Sequence, residues 1–376
     1  MRIVIDGRMI LPQMSGVGRY LISLSRALRD LGEDTSFELW LQEDLSIDHP
    51  ARKLASENFQ VRVLPVKHMS LSGQWQIPFE AARSHADLLH FPHFDLPWAT
   101  PGRVVATIHG LKFAYPKIFP QFDEAKRLAM HMMMAFTCRR AQRVICVSKF
   151  VAQDLHERLG APFHNLRVIP LGVDERFFQS VPTNAVQELR QRYQLGKPFI
   201  LYVGDCLPHK NLIGLLKAFA IFKRMTPRPY QLVIAGQRFA NYTDPETIVK
   251  QFGLSDSVFF VDYIGQTELP VLYQAADVFI LLAHYEGFGL PILEAMASGT
   301  PVLAANCTAL PEVVGDAGIL VDPDNPEQAA EALCQIVSGG AQREQMITLG
   351  SERARQFTWE RCAQKTLEIY REALTR

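Results

Sequence analysis

Apolar residues along this chain fall into two interleaved patterns. Short, nearly continuous runs such as "RIVID", "SFELWLQ", "QVRVLPV", "ADLLHF", "RVVATIH" and "RVICVS" alternate with stretches such as "GRYLISLSRALRDLG", where apolar positions recur with a helical period. Continuous runs set between helices predict parallel strands buried on both faces. After the polar stretch "QSVPTNAVQELRQRYQLGKP" the pattern restarts with "FILYVG", "YQLVIAG", "VFFVDY", "VFILLA" and "PVLAAN", separated by helices such as "NLIGLLKAFAIFKRM" and "LPVLYQAA". The chain closes on a helix, "TWERCAQKTLEIYREALTR". Two α/β domains are therefore expected, with the change near residue 180. The length of 376 residues, more than one core usually organises, agrees. No repeat with a period of about 20–50 residues is visible, which argues against a solenoid or propeller.

Composition narrows the function classes. At 48% hydrophobic and 21% charged residues the chain reads as an ordinary soluble globular protein. Lys+Arg and Asp+Glu balance at 39 each, which argues against a dedicated nucleic-acid binder. Up to residue 180 there are 22 basic against 18 acidic residues, leaving 39 − 22 = 17 against 39 − 18 = 21 beyond it. The mildly basic first half would suit an anionic acceptor or a membrane surface. Six scattered cysteines, without a CxxC pair, fit reduced thiols in the cytoplasm rather than a zinc site. No run reaches the roughly 20 apolar residues of a membrane span, so any membrane contact would be peripheral, at the inner face.

The stretch "HYEGFGLPILEAMASGTPV", from His284, carries the clearest chemistry. It reads as a turn after the strand "VFILLA", then a helix with Pro291 near its first position and Gly299 as its left-handed stop. Backbone N–H groups of residues 287–290 would converge at the helix N-terminus, where an anionic ligand is favoured. Carboxyl ends of strands are also where open α/β sheets bind ligands. Glu294, about one turn into the helix, could accept hydrogen bonds from two neighbouring hydroxyls, and Glu286 lies in the turn before it. A phosphate with hydroxylated rings on either side would describe a nucleotide sugar. The plainer alternative is that Glu294 complements the helix dipole and Glu286 faces water.

The segment "EGFGLPILEAMASGTPVLAANCTALPEVVGDAGILVDPDN" resembles the signature of glycosyltransferase family 4, and "SGVGRY", "LLHFPHF", "TIHGLKFAYP", "VICVSKFVAQDL", "VIPLGVDERFF", "LYVGDCLPHKNL" and "FTWERCAQKTLEIY" resemble its other landmarks. The resemblance implies a GT-B fold, two Rossmann-like domains facing across a cleft. It further implies an acceptor domain over residues 1–180, a nucleotide-sugar donor domain over 181–355, and a terminal helix over 356–376 that could return to the first domain. It implies a retaining, metal-independent hexosyltransferase that uses a nucleotide sugar as co-substrate and needs no cofactor. The acceptor would be a glycan, a lipid-linked molecule or a small molecule. The overall likeness to bacterial polysaccharide mannosyltransferases makes mannose from GDP-mannose the first expectation.

Site residues follow from the same resemblance. Glu294 would bind the donor ribose and Glu286 the transferred sugar. Gly287, Phe288, Gly289 and Leu290 would hold sugar hydroxyls and phosphate, with Tyr263 and Ile264 completing the donor pocket. Lys210 would neutralise the diphosphate, unless it is a solvated surface lysine. His109 matches the active-site histidine, although a lone histidine after a strand is often structural. Asp205 stands where the family usually has an arginine, which by Coulomb reasoning weakens diphosphate binding unless another group, such as His209, compensates.

Gly16 and Gly18 in "GVGRY" would let backbone N–H groups approach a phosphate or the acceptor. Read alone, that segment is a truncated dinucleotide fingerprint with Glu38 twenty residues beyond Gly18, which keeps an NAD(P)-dependent oxidoreductase open as an alternative. A nucleotide-sugar-binding pseudoenzyme disabled by Asp205 is another. His90 and His93 are spaced like a metal pair, but no acidic or cysteine partner is evident, so they read as structural or acceptor-side residues and no metal site is expected. "DEAKRLAMHMMMAFTCRRAQRV" could be a membrane-contacting amphipathic helix; its apolar residues cover most of the circumference from Leu128 to Phe136, which favours a buried helix.

Overall fold

The computed structural model describes residues 1–12, 15–31, 34–239, 244–262 and 264–375. The chain divides into two compact units. The first comprises Met1–Pro116, Pro120–Gly172 and Thr358–Arg376; the second comprises Lys117–Phe119 and Val173–Phe357. The main change of unit thus falls at residue 172 rather than 180. The polar segment after it, including the helix Thr183–Arg192, packs with the second unit through the helix Leu269–Ala275.

Seven parallel strands form the sheet of the first unit: β1 (Arg2–Asp6), β2 (Ser36–Gln42), β3 (Phe59–Leu64), β4 (Leu88–Phe91), β5 (Arg103–Ile108), β6 (Arg143–Cys146) and β7 (Leu166–Val168). Their order is β3-β2-β1-β4-β5-β6-β7. Helices must cover both faces of such a sheet, and the strand residues are accordingly buried almost throughout β1, β4, β5 and β6. The helix Gly16–Leu31 buries one face, and the terminal helix Trp359–Leu374 packs against it with Cys362, Ala363, Thr366, Leu367, Tyr370 and Ala373. The terminal helix therefore belongs to the first unit.

A glycine makes that return possible. A Cβ on Gly172 would lie 2.2 Å from the backbone nitrogen of Trp359, so only a bare backbone fits where the two segments cross. At the far end of the helix, the Glu372 carboxylate accepts from Arg143 at 2.6 Å and from Arg167 at 2.6 Å.

Six parallel strands form the second sheet: β8 (Phe199–Val203), β9 (Gln231–Ala235), β10 (Val258–Val261), β11 (Val278–Leu281), β12 (Val302–Ala305) and β13 (Ile319–Val321), in the order β10-β9-β8-β11-β12-β13. In each sheet the order reverses once, between β1 and β4 and between β8 and β11. Such a switch leaves a crevice at the carboxyl ends of the two strands, where ligands bind.

The helix Glu124–Arg140 departs from expectation. Among its residues only Met134, Ala135, Thr137 and Cys138 are buried, while Leu128 is 59% and Met132 51% exposed. Its apolar residues encircle the axis, but its buried residues all lie in its C-terminal half. Among the described residues no helix is long and apolar enough to cross a membrane.

Candidate active site

The second unit gathers its chemistry at the β8/β11 switch. Chain leaving β11 enters the helix Leu290–Ala297 through Gly289, whose φ of 104° is a left-handed conformation that favours glycine. A Cβ there would also meet Leu310 at 2.7 Å. Pro291 stands in the first turn, where no N–H is needed, and Gly299 caps the far end at φ 74°. Phe288 is buried against Phe357, ring centroids 6.1 Å apart. These residues aim the start of the helix toward the space beyond the strand ends.

Glu294 is 1% exposed, and its Oε2 accepts from the Tyr273 hydroxyl at 3.0 Å. Burying a carboxylate is costly unless its oxygens are hydrogen-bonded, so the tyrosine fixes one oxygen and orients the other. The reading that Glu294 merely complements a solvated helix end does not fit this burial. The expectation of two hydroxyls from a ligand is reduced in one respect: a protein hydroxyl already holds one oxygen.

Glu286 and Lys210 form an ion pair with each other, and both are largely shielded from water. Lys210 closes a short 3-10 turn, Pro208–Lys210, after β8, so the pair spans the strands that flank the switch. Neither is the solvated surface residue of the plainer reading. Thr308, at φ 55°, accepts from the Glu286 N–H at 3.2 Å and anchors the turn. Asn211 then caps the helix Leu212–Met225, accepting from Gly214 N–H at 3.1 Å and donating to the Pro323 carbonyl at 2.8 Å. Two helix N-termini and one lysine therefore flank the same switch.

His209 does not replace the missing arginine. Its ring is buried under Phe119, centroids 4.8 Å apart, and its carbonyl accepts from the His284 N–H at 2.9 Å. Asp205 is exposed, and its carbonyl accepts from Tyr202 at 3.0 Å. The loops after β8 and β9 run so close together that a Cβ on Gly236 would lie 1.9 Å from the Gly204 carbonyl oxygen. Arg238, on the second of these loops, is held by Glu246 at 2.6 Å and Asp262 at 3.0 Å. Ile264 is buried at the carboxyl side of β10; Tyr263 lies outside the described residues.

In the first unit, His109 follows β5 and meets Tyr20 edge to face at 4.8 Å. Burial, and then the neighbouring His93, push its pKa down to about 3, so the ring is neutral. A hydrogen bond to the Pro92 carbonyl holds the ring, while Nε2 is enclosed without a protein partner. The imidazole is thus prepared to accept from a hydroxyl. Gly16 opens its helix on the surface, whereas the Gly18 N–H donates to Ser15 Oγ at 3.1 Å and is already satisfied.

Glu38 cannot serve as a ribose ligand of a dinucleotide site. It lies near the start of β2, buried, and accepts from Trp40 at 2.8 Å and from Arg2 at 2.9 Å. Nor do His90 and His93 form a pair. His90 is fully buried between Thr107 and Tyr370, whereas His93 turns to Asp95, Nδ1 to Oδ1 3.2 Å. An acidic partner does stand two residues from His93, and sequence reasoning missed it.

Both halves of the chain match known protein families. Residues 14–177 match the model of Glycosyltransferase Family 4, and residues 186–353 match the model of Glycosyl transferases group 1. The chain belongs to glycosyltransferase family 4. It is 28% identical to the Escherichia coli O-antigen chain mannosyltransferase B over 384 aligned residues, covering 99% of this chain and 100% of the relative. Among solved structures it resembles sucrose-phosphate synthase from Thermosynechococcus elongatus, with TM-score 0.82 and 23% identity over 100% of this chain and 99% of the other. It also resembles Anabaena HepE in complex with UDP and glucose, with TM-score 0.78 and 19% identity over 99% and 100%. The two-domain GT-B fold of this family is the fold of the chain.

Proposed function

We propose that this glycosyltransferase is a retaining hexosyltransferase that takes its sugar from a nucleotide diphosphate sugar bound by the second unit. The observation that carries the reading is the constellation at the β8/β11 switch: buried Glu294, the glycine turn that opens its helix, and the Lys210–Glu286 pair. Glu294 would accept from a ribose hydroxyl through its carboxylate. Lys210 and the N–H groups of residues 287–290 would receive the charge that develops on the diphosphate as the anomeric C–O bond breaks. Glu286, released from Lys210 by the incoming anion, would orient the sugar.

The acceptor oxygen would then bond the anomeric carbon on the face the diphosphate leaves, its proton passing to the departing phosphate oxygen. His109 would accept from a substrate hydroxyl through Nε2. No metal or cofactor is assigned to this transfer. Mannose from GDP-mannose, delivered to a glycan or lipid-linked acceptor, is supported by the O-antigen mannosyltransferase relative, and a nucleotide donor by the UDP complex of HepE.

The deciding experiment is calorimetric titration with UDP-, GDP-, ADP- and TDP-sugars, for the protein and for Glu294→Ala. Selective binding of one donor, lost in the variant, supports the reading, and the anomeric configuration of the product then tests retention. Binding without transfer or hydrolysis would favour a pseudoenzyme. Failure of every donor would overturn the assignment of the site.

A specific surface supports peripheral membrane contact by the first unit. Trp75 and Phe79 lie one turn apart on the exposed face of the helix Gly73–Ser84, with Arg83 over the Phe79 ring. Gln74 accepts from the Trp98 N–H, and Trp98, 66% exposed, leans on Phe136 at 6.0 Å. Phe136 joins Met132, Arg139 and Arg140 around a cavity of about 460 Å³. An aromatic strip bordered by arginines suits the interface of an anionic bilayer. Co-sedimentation with phosphatidylglycerol vesicles, lost in Trp75→Ser/Trp98→Ser, is the expected result; equal recovery of protein and variant would exclude this surface.

A further inference from the structure

We propose that His68, His93 and Asp95 form a binding site for a divalent transition metal of the zinc class. The three residues lie on the loops that follow β3 and β4, near the carboxyl end of the first sheet. Asp95 is 4% exposed. Its Oδ2 lies 3.0 Å from Nδ1 of His68, and its Oδ1 lies 3.2 Å from Nδ1 of His93. One donor atom from each residue falls within 4.8 Å of the other two, and the imidazoles meet edge to face at 5.2 Å. Two imidazoles and one carboxylate are the donor set that zinc and its neighbours prefer.

The enclosed ring of His68 is only partly satisfied by its protein neighbours. Its Nδ1 lies at hydrogen-bond distance from the carboxylate, whereas its Nε2 is enclosed without a hydrogen-bond partner. Burying an imidazole in that state is costly. Atoms that share a metal rather than a proton approach in this way, because the edge of a tetrahedron with bonds of about 2.0–2.1 Å is about 3.3 Å.

Charge favours a cation at the same place. The Arg8 guanidinium closes on Asp6 through two bonds, 2.8 and 2.7 Å, so these two buried charges offset each other. Asp95 contributes a further carboxylate charge at the cluster. The third nitrogen of Arg8 donates to the Lys67 carbonyl at 3.2 Å and so fixes the backbone next to His68. Such an outer partner orients a ligand without touching the ion. Three protein ligands leave one tetrahedral position for an oxygen donor, a water or a substrate hydroxyl. The site belongs to the first unit and is assigned no part in leaving-group chemistry.

The test uses the full chain, stripped with chelator and kept reduced, then titrated with Co²⁺ and Zn²⁺. One equivalent of Co²⁺ with tetrahedral d–d bands and no thiolate charge-transfer band is expected, with Zn²⁺ displacing it. Affinity should fall at least tenfold in His68→Gln and in His93→Gln, both partly exposed and tolerant of the change, and should persist in the surface control His164→Gln. Zn²⁺ should raise the melting temperature of the parent but not of His68→Gln. Absence of stoichiometric binding, bands of thiolate origin, or unchanged affinity in His68→Gln/His93→Gln would each overturn the site.

Discussion

The hydroxyl of Tyr370 lies 2.7 Å from Nδ1 of His90, joining residues 280 positions apart in sequence. On its other side, Nε2 of His90 lies 2.8 Å from Thr107 Oγ1, which in turn meets the Tyr20 hydroxyl at 3.1 Å. A neutral imidazole satisfies both neighbours, and burial pushes the His90 pKa down to about 3. The last helix is thereby tied to the centre of the first sheet by a group that must remain uncharged.

Acid should therefore loosen the first unit. In the unfolded chain His90 titrates near its ordinary value, so between roughly pH 6.5 and pH 3 the unfolded state binds one more proton than the folded state. Stability falls as pH falls through that window, by about 1.4 kcal/mol per pH unit at most for this group. Denaturant unfolding at pH 7.5 and pH 5, followed by a probe in the first unit, should show a smaller loss for His90→Gln than for the parent. An equal loss would remove His90 as the cause.

Glu372 acts in a lower window. Hydrogen bonds from Arg143 and then Arg167 hold its pKa down at about 2. Its contribution is present above the ordinary carboxylate range and is lost as pH falls toward 2. Glu372→Gln should reduce stability at pH 7 and narrow the difference from the parent at pH 3, measured by thermal melts at both pH values.

On the proposed reading, the diphosphate of the donor would take over the Lys210 cation already paired with Glu286. Lys210→Ala should lower kcat by roughly 100- to 1000-fold, as expected when a fixed charge on the leaving group is removed. Glu286→Gln frees the lysine early, so donor affinity should hold or rise while kcat falls. Steady-state kinetics with the donor found by titration separates the two, and a drop only in donor affinity for both variants would place them outside the chemical step.

Glu294→Ala should weaken nucleotide-sugar binding by about 10- to 100-fold, the range for a hydrogen bond to a charged group. Tyr273→Phe should cost less, about 1 kcal/mol, because it loosens the carboxylate without removing it. Calorimetry on both variants checks the order; a larger effect from Tyr273→Phe would mean that the tyrosine itself meets the ligand.

Gly172→Ala should destabilise the first unit by about 3 kcal/mol, since the added methyl meets a backbone nitrogen that has no rotamer with which to escape. A thermal melt unchanged within error would show that the crossing relaxes.

Much of this was legible in the chain because each signal was local. The runs that became β1 to β6 and β8 to β12 are continuous and apolar, and Pro291, Gly289 and Gly299 mark the start and stop of one helix by their backbone requirements alone. The edge strands β7 and β13, three residues each, are too short to show a period and were missed. Glu294 was found by position, but its bond to Tyr273 joins two helices and leaves no trace in either. The same holds for His68, 25 residues before His93: pairing by spacing selected His90, which lies on the strand and points into the core. The helix Glu124–Arg140 departs from its sequence pattern because an apolar circumference reports what a helix could bury and says nothing of what the fold brings against it.

The crossing at Gly172 and Trp359 also governs how the chain can be divided. Val173 N–H donates to the Phe357 carbonyl at 3.0 Å, so the segment between them starts and finishes at one point. The second unit is, in effect, a guest inserted into a host. A cut near residue 180 would deprive the host of its closing helix and leave the apolar face of Gly16–Leu31 in water. Splicing residue 172 to residue 358 through a short linker would instead keep the host whole.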